Sequence, residues 1–238
     1  MRYLAIIPLT LSILILSGCL YPSQNLTKNN VPNELQLKTV QDAVTQYAQD
    51  NQGLIPVLTK PSDTPIFQKY IIDFSKLKQQ NLLASIPGTA FENGGVYQYV
   101  LITPEESPTV KLIDLRNAET IRSVYSKINI YRSENTYPPF GEEVEDSIYQ
   151  INYEKIGLES PPFVVSPYSQ KNLPIIMDVY GDIYIDYSLD LYEALNEFEH
   201  SYSEGEDIRY ILAENYPFVP AYSLPYTIED GEPVYLKK

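Results

Sequence analysis

Cysteine and histidine are almost absent from this sequence, which contains one of each, Cys19 and His200. A single cysteine excludes a disulfide within the chain, and these two residues are too few for a zinc site built on several cysteine or histidine ligands. A Ser-His-acid triad would have to use His200, and no Gly-x-Ser-x-Gly motif accompanies it. We therefore expect a fold stabilised by packing, and we interpret His200 as a surface residue near a helix C-terminus.

Positive charge is also scarce, because 17 lysines and arginines face 31 aspartates and glutamates, a formal net charge of -14 at pH 7. Such a surface repels DNA and RNA, so nucleic acid is excluded as a partner. Tryptophan is absent, whereas tyrosine occurs 22 times. Tyrosine is common both in β-strands and at surfaces that bind sugars or proteins, and we favour the strand interpretation.

The N-terminal segment carries one charge, Arg2, followed by an apolar run from Leu4 to Leu16. The run is shorter than the about 20 apolar residues that a membrane-spanning helix needs, and it has the length of a signal peptide. It ends in Leu16-Ser17-Gly18-Cys19, which resembles a bacterial lipobox. The resemblance implies cleavage between Gly18 and Cys19. The alternatives are an ordinary signal peptide with an incidental cysteine and an uncleaved anchor.

The lipobox resemblance also implies a covalent diacylglycerol with palmitate-like acyl chains on Cys19. Two or three acyl chains, at roughly 0.8 kcal/mol per buried methylene, hold a protein firmly on a membrane. The predicted location is therefore the outer face of the cytoplasmic membrane. No cofactor other than the Cys19 lipid is expected.

The remaining chain predicts an α+β fold with two related modules, each a helix packed on a small antiparallel sheet. Its apolar fraction of 44% is typical of a folded protein. Helical spacing of apolar residues predicts long helices at about 35–51 and 117–133 and shorter ones from 188 and over 206–215. The predicted organisation is a signal peptide at 1–18, a flexible tether at 19–32, a first module at 33–114, and a second module at 115–238 with an extra C-terminal helix and a tail rich in proline and tyrosine.

An internal repeat with a period of about 80 residues is the basis for the two modules. Tyr47, Asp50, Asn51 and Pro56 correspond to Tyr131, Glu134, Asn135 and Pro138, and residues 72–77 correspond to residues 151–156. The helix followed by an acid-Asn stretch and proline resembles the soluble half of type IV pilins and type II secretion pseudopilins. The prepilin cleavage motif is missing here, so the resemblance does not imply entry into a pilus fibre.

Over its full length the chain resembles the YphF lipoproteins of Bacillus. The resemblance rests on residues 16–22, 64–70, 87–92 and 218–226, whose sequences are LSGCLYP, TPIFQKY, PGTAFE and FVPAYSLPY. It implies no catalytic or binding residues.

Two acidic clusters, residues 142–146 and 204–207, contain enough carboxylates to raise the question of calcium. Neither has the loop pattern of an EF-hand, and we interpret both as solvated loop charge or helix N-terminal charge. The apolar stretch 218–226 is a candidate interaction surface through Tyr222, Leu224 and Tyr226 if it is exposed. We favour the alternative, in which this stretch covers the domain core.

Together these features predict a membrane-anchored extracytoplasmic lipoprotein that binds a protein or a cell-wall component and does not act as an enzyme. The alternative is a solute-binding lipoprotein of an ABC transporter. A cleft between lobes with converging polar groups would favour that alternative. A hydrolase with paired carboxylates is a third interpretation, which no motif supports.

Overall fold

The computed structural model describes residues 34–236, so the predicted signal peptide, the tether and Cys19 lie outside the described residues. The described chain mixes helices and antiparallel sheets, 34% helix and 24% strand, which confirms the predicted α+β class. Its helices are α1 (Glu34–Asp50), α2 (Ile66–Lys69), α3 (Phe74–Gln79), α4 (Leu115–Glu134), α5 (Ser188–Glu197) and α6 (Tyr210–Asn215). Its strands are β1 (Tyr97–Ile102), β2 (Thr109–Asp114), β3 (Phe140–Glu145), β4 (Ile148–Ile151), β5 (Phe163–Val165), β6 (Asn172–Asp178), β7 (Ile183–Ile185), β8 (Tyr226–Glu229) and β9 (Glu232–Tyr235).

Helix α1 packs on the hairpin of β1 and β2. Val40 and Val44, one turn apart, are fully buried in a cluster that also contains Tyr99 and Leu112 of the two strands. The Gln41 side chain fixes the position of the helix, because its amide oxygen accepts a 2.8 Å hydrogen bond from the Val110 backbone. This arrangement is the helix-on-sheet packing predicted for the first module.

Strands β1 and β2 are buried on both faces. Side chains alternate between faces along a strand, and Tyr97, Tyr99 and Leu101 face the α1 core. The intervening Val100 and Ile102 join a separate cluster with α6 and the C-terminal tail. The second face is therefore covered by residues from the far end of the chain.

The second module is built on a five-stranded antiparallel sheet in the order β3-β4-β6-β5, with β7 also paired to β6. Its core is one buried cluster that includes Ile128 of α4, Leu173 of β6, Ile185 of β7 and Leu191 of α5. Strand β6 is long enough to pair with β5 at its start and with β4 at its end.

The C-terminal tail returns to the first module. The Leu112 amide of β2 donates to the Pro217 carbonyl at 2.9 Å, and the Val219 amide donates back to the Leu112 carbonyl at 3.0 Å. Leu112 and Phe218 thus form a parallel bridge beside β2. Although β2 ends at the predicted boundary near Asp114, the two modules share this strand-like contact.

The interpretation of residues 142–146 as loop or helix N-terminal charge is wrong for most of that cluster. Glu142, Glu143 and Glu145 lie in β3, which pairs with β4. The sequence conceals this strand because β3 is at the edge of the sheet and its central residues are exposed. An edge strand without a buried face lacks the alternation of apolar and polar residues that identifies a strand.

Candidate functional site

The concave surface of the protein follows helix α4, which begins directly after β2. Asp114 caps the helix, since its carboxylate accepts a 3.0 Å hydrogen bond from the Arg116 backbone amide. Ala118, Ile121 and Val124 are buried on one side of the helix. Arg122 and Tyr125 project from its exposed side, so the helix presents a mixed cationic and aromatic face to solvent.

The first cavity on this face, here the Arg122 cavity, has a volume of about 370 Å³. Elements from both modules line it: the α2 region, α4, the turn between β6 and β7, and the C-terminal tail. Its polar and aromatic lining residues include Gln68, Arg122, Tyr125, Asp182, Tyr184 and Tyr222. Polar groups from the predicted first and second modules therefore converge in this cavity.

A second cavity of about 440 Å³ lies along the same helix and is here the Phe91 cavity. Ala118 and Arg122 line both cavities. Phe91, which is 61% exposed, contributes an aromatic ring from the first module. Arg122 thus lies at the boundary between the Arg122 cavity and the Phe91 cavity.

Opposite charges line the Arg122 cavity without neutralising each other. Among residues 34–236, neither the Arg122 guanidinium nor the Asp182 carboxylate forms an ion pair or a side-chain hydrogen bond. Burial raises the pKa of Tyr222, and the charge of Arg122 opposes that shift. Burial also raises the pKa of Tyr184, and the charges of Asp178 and Asp182 add to this shift. Both phenols are therefore neutral donors at physiological pH.

The turn after β6 sets the position of Asp182. The Asp178 carboxylate accepts hydrogen bonds from the backbone amides of Tyr180, at 2.9 Å, and Asp182, at 3.0 Å. Gly181 adopts a left-handed backbone with φ +85°, and a Cβ there would lie 3.0 Å from the Arg132 guanidinium. The Asp178 side chain thus holds the backbone of the turn, from which the exposed Asp182 side chain extends.

On the other side of α4, the Arg116 side chain is already engaged. Its guanidinium binds the Asp114 carboxylate with two nitrogens, at 2.9 Å and 2.5 Å. A cavity of about 360 Å³ beside this pair is lined by Asn117, Phe163 and Ser166, among others. Because its cation is neutralised within the chain, this cavity has less to offer a charged ligand than the Arg122 cavity.

A buried polar network lies near this second side of the helix. Asp190 is 2% exposed, and its two carboxylate oxygens accept hydrogen bonds from Ser166 at 2.7 Å and from Ser169 at 2.6 Å. Burial raises the pKa of Asp190, and the two serine hydroxyls act in the opposite direction. Ser166 in turn accepts from the backbone amides of Tyr168 and Ser169. These contacts shape the loop between β5 and β6.

The structure separates the residues predicted as an interaction surface. Tyr226 is 1% exposed, and its hydroxyl donates to Asp186 at 2.8 Å, so its side chain belongs to the interior. Tyr222 and Leu224 are half-buried, and Tyr222 lines the Arg122 cavity. Much of the stretch covers the core, as Phe218 and Val219 are also buried. The predicted lipidation site, Gly18 and Cys19, lies outside the described residues.

Other residues considered from the sequence lie at the surface. His200 is exposed in the loop that follows α5, and its ring centroid is 5.9 Å from that of Tyr202. In the second acidic cluster, Asp207 pairs with Arg209 at 2.6 Å. Across residues 34–236, no group of three or more histidine, cysteine, aspartate or glutamate side chains is arranged to hold a metal ion.

Sequence reasoning missed Arg122 and Asp182. They are far apart along the chain, and each resembles an ordinary surface charge. The available signal was Tyr180-Gly181-Asp182, a glycine-containing segment between two apolar stretches, and an arginine beside the apolar stripe of a helix. Neither pattern identifies a cavity by itself.

Residues 33–114 match the YphF family N-terminal domain, the same range as the predicted first module. This match confirms the resemblance to the YphF family for that part of the chain. No curated protein and no solved structure matches the chain, so the resemblance to pilins gains no support. None of the described helices is both long and apolar enough to cross a membrane.

Proposed function

Starting from the YphF family N-terminal domain at residues 33–114, we propose a lipid-anchored extracytoplasmic protein that binds a protein or a cell-wall component without catalysing a reaction. The lipid is a diacylglycerol on Cys19, and the protein resides on the outer face of the cytoplasmic membrane. The sequence at Leu16-Ser17-Gly18-Cys19 supports this part of the proposal.

One observation carries the binding role: the exposed face of α4 lies between two cavities that meet at Ala118 and Arg122. Concave surfaces with a few converging polar groups are the usual location of binding sites. Aromatic residues and arginine are also enriched at protein interfaces. Phe91, Tyr125 and Arg122 supply these groups here.

A photo-cross-linking experiment in cells tests the role of this face. The cross-linker benzoylphenylalanine replaces Tyr125 in the cavity face, and it replaces Tyr192 on α5 in the matched control. Both tyrosines are similarly exposed, at 38% and 44%. We expect one dominant cross-linked partner from position 125 and not from position 192. The same products from both positions would contradict the assignment of the face.

The anchored state is tested with the same cross-linker in a Cys19→Ser chain. We expect this variant to leave the membrane fraction and to lose the partner, because the lipid holds the face at its working location. Retention on the membrane of a Cys19→Ser chain from which residues 1–18 have been removed would contradict the lipid anchor.

The second candidate function is a solute-binding lipoprotein of an ABC transporter. The Arg122 cavity favours it, because both modules contribute to a cleft of about 370 Å³ with converging polar groups. That volume lies within the range of about 300–1,000 Å³ typical of small-molecule sites. A permease subunit cross-linked at position 125 would support this candidate over the first.

We also infer that the two modules arose by duplication. In the first module Val57 pairs with Ile72, Ile71 pairs with Val100 of β1, and β1 pairs with β2 before α4 begins. In the second, β3 pairs with β4, β4 with β6, and β6 with β7 before α5 begins. An experimental structure in which these strands of the two modules do not superpose would contradict the inference.

The ends of the two long helices show the contacts made by residues on which the sequence repeat rests. The side-chain amide of Asn51 donates to the Tyr47 carbonyl at 2.7 Å, and that of Asn135 donates to the Tyr131 carbonyl at 3.0 Å. The same pair of residue types therefore closes both helices, at the positions that the sequence repeat relates.

A further inference from the structure

We propose that the Arg122 cavity binds a small zwitterion, a molecule of amino-acid or dipeptide size that carries both a carboxylate and an ammonium group. The proposal deepens the binding role above by naming a ligand class, and it rests on the cavity face being the binding surface. It assigns the ligand carboxylate to Arg122 and the ligand ammonium to Asp182.

The charge arrangement is the main argument. The protein is strongly acidic, with a formal net charge of -14, yet a cation without an ion-pair partner among the described residues lines this cavity. The Asp182 carboxylate, which also has no ion-pair partner among the described residues, lines the cavity as well. Arg122 and Asp182 do not pair with each other. A guanidinium matches a carboxylate in geometry, and a carboxylate accepts strongly from an ammonium group. One zwitterionic ligand would satisfy both.

The backbone positions of both residues support the same ligand class. Arg122 extends from a helix whose Ile121 is buried in the second core, and Asp182 is held by the Asp178 turn. Tyr184, whose hydroxyl donates to Asp178 at 3.2 Å, lines the wall between the strands and the cavity. Because packed elements hold the backbone of both residues, binding orders two exposed side chains and not a mobile loop.

The remaining lining determines the character of the ligand side chain. Ile121, Ile183 and the ring of Tyr222 provide apolar surface, and Tyr125 closes one side. An apolar ligand side chain would be removed from water against these groups, which is favourable at roughly 25 cal/mol per Å². A leucine-like zwitterion therefore fits the site better than a strongly polar one.

Titration calorimetry on the full chain in detergent tests the proposal with four probes. Leucine and leucyl-leucine carry both charges, N-acetyl-leucine lacks the cation, and leucine amide lacks the anion. We expect leucine or leucyl-leucine to bind, and the two blocked probes to bind at least about tenfold more weakly, since each lacks one of the two charges that Arg122 and Asp182 would bind. The relative affinity of leucine and leucyl-leucine distinguishes a free amino acid from a peptide as the source.

Two variants assign the contacts. Arg122→Gln is expected to weaken leucine about tenfold or more while leaving leucine amide unaffected, and Asp182→Asn is expected to have the reciprocal effect with N-acetyl-leucine. The controls are Lys127→Gln on α4, which removes a positive charge outside the cavity, and Glu204→Gln in an exposed loop, which removes a negative charge outside it. Neither control should change the affinity for any of the four probes. Thermal unfolding of each variant shows that it is folded.

Failure of this proposal is distinguishable from failure of the proposed function. Absence of binding by both leucine and leucyl-leucine, or equal binding of N-acetyl-leucine, overturns the zwitterion assignment, whether or not a cross-linked partner is found at position 125. Binding that Arg122→Gln and Asp182→Asn leave unchanged overturns it as well. Zwitterion binding without a cross-linked partner would support this inference and favour the solute-binding candidate.

Discussion

The ammonium group of Lys111 donates a 2.8 Å hydrogen bond to the carbonyl oxygen of Tyr216, which lies 105 residues further along the chain. A second hydrogen bond, of 3.1 Å, reaches the Glu214 carbonyl. Lys111 is 8% exposed, and burial lowers its pKa. A lysine in β2 of the first module thus satisfies the C-terminal carbonyls of helix α6 in the second. The contact links two parts of the chain that the sequence assigns to different modules.

We expect Lys111→Met to lower the free energy of unfolding by about 1–3 kcal/mol, because the apolar side chain leaves the Glu214 and Tyr216 carbonyls without their donor. Urea denaturation followed by circular dichroism measures the change. Lys78→Met, at an exposed position of α3, is the matched control and should change stability by less than about 0.5 kcal/mol. Equal effects of the two variants would contradict a structural role for the Lys111 contact.

Tyr168 gives a prediction of opposite sign. Its hydroxyl is buried and has no hydrogen-bond partner within residues 34–236. Its ring lies among Tyr187, Tyr216 and Phe218, with centroid distances of 6.0, 5.3 and 6.5 Å. Because a buried hydroxyl without a partner costs free energy, we expect Tyr168→Phe to leave the free energy of unfolding unchanged or to raise it by about 1 kcal/mol.

Tyr226→Phe is the matched comparison for Tyr168→Phe. Tyr226 is also buried, but its hydroxyl donates to Asp186 at 2.8 Å. Its removal is expected to lower the free energy of unfolding by about 1 kcal/mol. Chemical denaturation of both variants gives the two values. A loss of stability in Tyr168→Phe as large as that in Tyr226→Phe would show that the Tyr168 hydroxyl has a partner after all.

The long helices and the main hairpins were predictable from the sequence because their signals are local. Apolar spacing located α1 and α4 to within about two residues, since each has one buried stripe. The turn at residues 180–182 contains a glycine and lies between segments rich in β-branched residues and tyrosine, which are also local signals. In each case, neighbours in the chain determine the element.

The parts that the sequence did not reveal depend on contacts between distant residues. Strand β3 is an exposed edge strand, so its glutamates conceal it. The bridge from Leu112 to Phe218 requires the fold that brings the tail back to β2. The Arg122 cavity needs a helix, a turn and the tail at one place, and neither Arg122 nor Asp182 is unusual within its own segment. Burial of Tyr226 likewise depends on Asp186 in another part of the chain.

Stability should depend on pH through Asp190. Burial raises the pKa of this carboxyl above its ordinary value of 3.8, so the folded state binds more protons than the unfolded state between 3.8 and the raised pKa. The free energy of unfolding therefore falls as pH rises through that window, by about 1.4 kcal/mol per unit of pKa difference. The hydrogen bonds from Ser166 and Ser169 oppose the rise in the pKa and so limit the width of this window.

Asp190→Asn isolates this contribution, because asparagine fills the same space and does not titrate. We expect the stability of the natural chain relative to Asp190→Asn to be greatest near pH 3 and to decrease as pH rises past the raised pKa. Urea denaturation at several pH values measures the difference. Glu199→Gln, at an exposed position after α5, controls for the loss of a negative charge. A difference that grows with pH would contradict the assigned direction.

Gly95 is constrained by contact rather than by backbone conformation. A Cβ at this position would lie 2.1 Å from the carbonyl carbon and oxygen of Thr89, so the two backbones approach too closely for any side chain. Thr89 also anchors α1 to β1, because its hydroxyl binds Gln36 and Tyr99, each at 2.7 Å. We expect Gly95→Ala to displace this contact and to lower the free energy of unfolding by about 3 kcal/mol.

The neighbouring Gly94 provides the control for this prediction. It has φ +80° and open space around it, so Gly94→Ala introduces backbone strain but no clash and should cost about 1–2 kcal/mol. Chemical denaturation ranks the two variants, and hydrogen exchange at the Tyr97 amide, which donates to the Thr89 carbonyl at 3.1 Å, reports the local contact. Gly95→Ala should accelerate that exchange more than Gly94→Ala does. A larger loss of stability or faster Tyr97 exchange in Gly94→Ala than in Gly95→Ala would contradict the prediction. It would mean that the backbone near Gly95 moves to accommodate the added Cβ.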